Sequence, residues 1–195
     1  MNTLRSTKLM SFSALLFGAL MFVAGSANAA KVAGVTLAET ITVADQSLSL
    51  NGAGIRKKLF IKLYVGSLYT ASGSGAAADI VAANEAMAIR LNMLSDLLTR
   101  KKMIGALNDG FKKSTGGDTS DIQSGIDQLI EVMPEKIKPG TQMTLAYEPG
   151  VGTHLMDGDQ SISVIEGLEF KQALFGIWLS DKPAQKSLKK AMLGG

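Results

Sequence analysis

The segment Leu59-Phe-Ile-Lys-Leu-Tyr-Val-Gly-Ser-Leu-Tyr-Thr70 limits the possible folds more than any other part of this 195-residue chain. Its aromatic and β-branched residues predict a long strand buried on much of both faces, and Gly66 within it predicts a bend or bulge. Such a strand needs neighbours. Alternation in Thr40-Ile-Thr-Val43 and in Ser47-Leu-Ser-Leu50 predicts them upstream, with Asn51-Gly-Ala-Gly54 read as turn residues. Downstream, Ala86 to Met93 puts Met87, Ile89, Leu91 and Met93 on one face and Ala88, Arg90 and Asn92 on the other. This is a half-buried strand with Arg90 on its solvent side.

Between these strands, the small residues from Ala71 to Ala78 form a flexible connection that passes into a short helix through Asn84. After Met93 the period changes. Ser95 or Asp96 can cap a helix in which Leu97, Leu98, Ile104, Leu107 and Phe111 recur at helical spacing before Ser114-Thr-Gly-Gly117 ends it. A second helix is expected from Thr119 to Met133. Short strands follow at Thr141–Glu148, Thr153–Met156 and Ser161–Ile165, and helices at Phe170–Leu179 and Pro183–Leu193. Runs of strand followed by helix, without regular alternation, predict an α+β architecture: a large, mostly antiparallel sheet with helices packed on one face.

The N-terminus has its own signature. Arg5 and Lys8 precede an apolar run from Leu9 to Val23, and Ala27-Asn-Ala29 offers a small-residue exit. This is the three-part pattern of a secretory signal peptide, so residues 1–29 are expected to be cleaved, leaving one periplasmic domain over 30–195. The apolar core is shorter than the roughly 20 residues of a spanning helix, and no later stretch is apolar enough to be a transmembrane segment. Removing Arg5 and Lys8 leaves 18 basic residues against 17 acidic ones. The chain's formal charge of +3 therefore falls to +1, which gives no basis for a nucleic-acid partner.

The chain has no cysteine and one histidine, His154, so disulfides, thiolate chemistry and the common zinc constellations are all excluded, and neither a metal nor a cofactor is expected. Asp157-Gly-Asp159 reads as a hairpin turn, since the rest of a calcium-loop pattern is missing. No Gly-x-Ser-x-Gly elbow supports a hydrolase. The acid pairs Asp118/Asp121 and Glu166/Glu169 fall where capping explains them, and Phe175 and Trp178 read as core anchors.

Asn51-Gly-Ala-Gly-Ile-Arg-Lys-Lys-Leu-Phe-Ile-Lys-Leu-Tyr-Val-Gly-Ser-Leu-Tyr69, together with Phe175-Gly-Ile-Trp-Leu-Ser-Asp-Lys-Pro183, resembles the chalcone isomerase-like family in its secreted bacterial branch. The resemblance implies an open-faced β-sandwich, a large antiparallel sheet layered with helices, and a cleft between the layers for small apolar or aromatic molecules. The family's plant enzymes place an arginine, a threonine, a tyrosine and an asparagine in that cleft. Carried over, the arginine is Arg56, the threonine position falls on Tyr64, the tyrosine position near Leu98 and the asparagine position near Gly105. Three of the four positions have lost the enzyme's residue. The family's non-catalytic, fatty-acid-binding members use an arginine and a tyrosine, which Arg56 and Tyr64 resemble, with Tyr69 as a substitute for Tyr64. The resemblance thus implies a binding protein for a small apolar or amphipathic ligand, with Arg56 as anion anchor and Tyr64 as second donor. The alternatives are an isomerase of unidentified substrate and a structural or partner-binding protein of the envelope.

Overall fold

The period-two segments pair in the order in which they occur along the chain. The computed structural model describes residues 30–195 apart from Ser72, Ser74 and Asp159, and the expected signal peptide at 1–29 lies outside the described residues. Strands β1 (Ala30–Val32) and β2 (Val35–Leu37) form a small hairpin of their own. Strands β3 (Thr40–Val43), β4 (Gln46–Lys58), β5 (Ile61–Thr70), β6 (Met87–Met93), β7 (Gln142–Glu148), β8 (Gly152–Asp157) and β9 (Gln160–Ile165) form a seven-stranded sheet. Every neighbouring pair is antiparallel, and spatial order equals chain order. Helix α1 (Ala77–Ala82) precedes β6, α2 (Arg100–Ser114) and α3 (Gln123–Glu131) lie between β6 and β7, and α4 (Leu168–Leu179) and α5 (Lys186–Met192) follow β9. The expected α+β architecture is present: one large antiparallel sheet layered with helices.

Register decides which side chains meet the helices. Tyr64 and Leu68 of β5 align with Met93 and Ile89 of β6, and Ile89 aligns with Leu145 of β7 and through it with Leu155 of β8. These residues share one face and form the main core with Phe111 of α2, Ile126 and Leu129 of α3, and Leu174, Phe175 and Trp178 of α4. Helix α4 is buried nearly all round, as expected of a helix that is apolar on every side. On the other face a smaller cluster of Val43, Leu48, Tyr69, Ala86, Ala88 and Ala146 forms where the sheet curls and β3 approaches β7. Arg90 lies on this second face, half-buried, with Nε donating to Thr144 Oγ1 at 3.0 Å and the guanidinium 5.7 Å from the Tyr69 ring centroid. Among the described residues no helix is long and apolar enough to cross a membrane.

Local expectations are corrected in two places, the β4–β5 pair and the start of α2. Asn51-Gly-Ala-Gly54 is not a turn but the middle of the 13-residue β4, and Gly66 does not mark a bulge. The register shifts fall instead between Leu50 and Gly52 and between Arg56 and Lys57, while Gly54 and Gly66 pair directly. The glycines provide clearance. A Cβ on Gly54 would stand 2.7 Å from Ala191 Cβ and 3.2 Å from Leu188 Cδ1, so α5 rests on a strip of bare backbone. The second correction is the cap of α2, which is Thr99 rather than Ser95 or Asp96, with Thr99 Oγ1 accepting from Lys102 N at 3.3 Å.

Candidate functional site

Arg56 and Tyr64 stand directly opposite each other across β4 and β5, so both project toward the helix layer. Tyr64 is buried there, and its hydroxyl accepts a hydrogen bond from Trp178 Nε1 at 2.9 Å. Burial pushes the Tyr64 phenol above its ordinary range, opposed in part by the Trp178 bond and by the nearby Arg56 charge. Tyr64 is therefore a neutral hydroxyl near neutral pH, with one proton left to donate. Tyr69 is no substitute, because it lies on the opposite face of the sheet and donates to Ala38 O at 3.1 Å.

Arg56 is half-buried, and Nη1 donates to Lys57 O at 2.6 Å and to Gln185 Oε1 at 3.1 Å. Gln185, just ahead of α5, has every polar valence filled. Its Oε1 also accepts from Lys57 N at 2.9 Å, and its Nε2 donates to Ile55 O at 3.1 Å and to Ser187 Oγ at 2.6 Å. One amide thus ties α5 to β4 and places a partial negative charge against the guanidinium. Sequence reasoning missed both Gln185 and Trp178 as members of this site. A buried indole N–H nearly always needs an acceptor, and that need was the available signal for Trp178; no local pattern marks Gln185.

The other carried-over positions do not join the pair. Leu98 is buried in the main core, and Gly105 is an exposed position of α2 where an added Cβ would meet nothing within 4 Å. Neither offers a donor. Two open cavities lie elsewhere. One, of about 570 Å³, is lined by Asn84, Tyr147, Val151 and Glu166; the other, of about 470 Å³, lies between α3, β9 and the start of α4. Glu166 and Glu169 line the second, Asp118 accepts from Ser120 N and Oγ at a turn, and His154 of β8 bonds Glu148 of β7 and Ser161 of β9. Among the described residues no group of His, Asp and Glu is arranged to hold a metal ion.

A guanidinium beside a neutral phenol can bind an oxyanion.

The fold has solved relatives. The chain resembles the crystal structure of a fatty-acid binding protein of Arabidopsis thaliana, with a TM-score of 0.64 and 18% identity over 82% of this chain and 92% of that one. No curated protein matches the sequence. The family model described as chalcone isomerase-like matches residues 29–194. A curled antiparallel sheet layered with helices and a match over nearly the whole described domain lead to one assignment: the chain belongs to the chalcone isomerase-like family.

Proposed function

We propose that this protein is a non-catalytic binder of a small amphipathic acid, such as a fatty acid, with Arg56 holding the anionic group and Tyr64 donating a second hydrogen bond. The observation that carries this reading is the direct cross-strand pairing of Arg56 with Tyr64 on the helix-facing side. An arginine offers a planar fork of donors to a carboxylate, and the flanking core residues are apolar enough to cover an acyl chain. The solved relative described as a fatty-acid binding protein is consistent with it. Gln185 Oε1 occupies the place where the acid's oxygen would stand, so binding exchanges an internal amide for the ligand's carboxylate. The same proposal includes residues 1–29 as a cleaved leader and the periplasm as the working compartment.

An isomerase reading has less support, since Tyr64 is held protonated and Leu98 and Gly105 cannot steer a ring closure. A structural role is the second reading. The filled valences of Gln185 and the Trp178–Tyr64 bond favour it, because they complete the site without a ligand.

Native mass spectrometry of protein purified from the envelope separates these readings. A co-purified acid that is lost in Arg56→Ala supports the binder, and a mature mass beginning at Ala30 supports export. A bound acid indifferent to Arg56→Ala would remove the anchor, and a chain that neither carries nor takes up fatty acids would leave the structural role.

A further inference from the structure

The hairpin joining β4 to β5 ends in apolar side chains that nothing among the described residues covers. Lys58 pairs with Ile61, so the turn is the two residues Leu59 and Phe60. Phe60 is 100% exposed, Leu59 86% and Ile61 39%. Leu59 also has φ of +54°, a region that hairpin turns usually give to Gly, Asn or Asp. A leucine here is unfavourable twice over, once in backbone and once in exposed apolar surface, and no contact among the described residues offsets either. Lys57, Lys58 and Lys62, all exposed, ring the base of the tip. No Asp or Glu occurs in the sequence between Asp45 and Asp79, and among the described residues none of these lysines forms an ion pair.

We propose that this tip docks the protein on a lipid bilayer carrying anionic phospholipids, with Leu59 and Phe60 entering the acyl boundary and Lys57, Lys58 and Lys62 meeting headgroup phosphates. Three features select a bilayer over a protein surface. A two-residue protrusion cannot supply the roughly 1,200 Å² that a stable protein interface buries, whereas interfacial insertion needs only about 5–10 Å of depth. Strands rise about 3.4 Å per residue, so lysines one and two positions behind the turn stand at headgroup level when the tip is inserted. The collar's charge then complements an anionic surface, where each lysine near the headgroups adds attraction. The hairpin is also ordered before docking, since Gln185 bonds both Arg56 and the Lys57 amide at its base. The chemistry of the tip does not depend on what the Arg56–Tyr64 pair holds.

Co-sedimentation of the purified protein with vesicles of phosphatidylcholine, with and without phosphatidylglycerol, tests the proposal. Binding should require or favour phosphatidylglycerol and weaken as salt rises. Leu59→Ser/Phe60→Ser should bind at least about tenfold more weakly, since two exposed apolar side chains are lost from insertion. Lys57→Gln/Lys58→Gln/Lys62→Gln should lose the phosphatidylglycerol preference. Leu97→Ser, which removes a half-exposed leucine elsewhere, should bind as wild type. A Phe60→Trp variant, read against the buried Trp178, should shift its emission to the blue on vesicle addition. No binding to phosphatidylglycerol vesicles, or equal binding by the double serine variant, overturns the proposal. So does concentration-dependent self-association that Phe60→Ser abolishes, which would assign the tip to a second copy of the chain.

Discussion

Gly54→Ala and Gly105→Ala are the same chemical change with opposite expected signs. In β4 the new methyl group would lie 2.7 Å from Ala191 Cβ and 3.2 Å from Leu188 Cδ1, against a comfortable carbon separation of about 3.5–4.0 Å. Helix α5 must lift by roughly 1 Å to accept it, loosening Leu188 and Met192, both of which are buried. Overpacking of this kind costs about 1–3 kcal/mol. Gly105 is an exposed position inside α2 where the methyl meets nothing, so alanine gains about 0.8–1 kcal/mol of helix propensity. For a domain of this size each kcal/mol moves Tm by about 2–4 °C, giving a fall of roughly 2–12 °C for Gly54→Ala and a rise of about 2–4 °C for Gly105→Ala. Urea unfolding followed by circular dichroism and by Trp178 fluorescence measures both. Equal stability of Gly54→Ala and wild type would show that α5 does not rest on bare backbone at this strand.

Two further outcomes follow from the same layer. Gln185→Ala removes the internal partner of Arg56, so it should tighten binding of a fluorescent fatty acid by about 10-fold or more, on the scale of one hydrogen bond to a charged group, while lowering stability; unchanged or weaker binding refutes the exchange of amide for carboxylate. Lys171 is buried and donates to the carbonyls of Ile80, Val81 and Ala83 at the end of α1, and burial pushes its pKa down from 10.5 to about 8, against the pull of Glu85. The folded state therefore loses this proton before the unfolded chain does, and wild-type stability relative to Lys171→Met should rise as pH climbs through that interval; urea midpoints that stay parallel between the two proteins from pH 7 to about 10 would refute it.

Period-two and helical patterns located most strands and helices because a face of each is buried against the main core or the smaller cluster. Met87, Ile89, Leu91 and Met93 announce their face in the sequence, and the structure puts all four in the main core. Asn51-Gly-Ala-Gly54 misled for a physical reason: glycine marks turns and close approaches alike, and the approaching α5 begins more than 130 residues away. Tyr64 was legible only through resemblance, since alternation places it on a face without saying what stands opposite. Gln185 was not legible at all. Its role depends on α5 being brought down onto β4, which is a property of the tertiary fold and leaves no periodic trace.

The same long-range placement bears on the proposed non-catalytic role. Catalysis in such a cleft needs donors that face the ligand and a group that can gain or lose a proton near neutral pH. Here the buried phenol of Tyr64 is driven away from ionisation, Leu98 is absorbed into the core, and Gly105 faces outward. Arg56 alone keeps a charge at the site, and under the proposed binding role that charge would hold the ligand's anionic group. Trp178 and Gln185 hold the remaining polar atoms in place, and they do so from α4 and the entry to α5. The helices that close the core also bring Gln185 onto Arg56, so under the proposed role a carboxylate would compete with the protein's own amide, and the strength of that amide would set how tightly it binds.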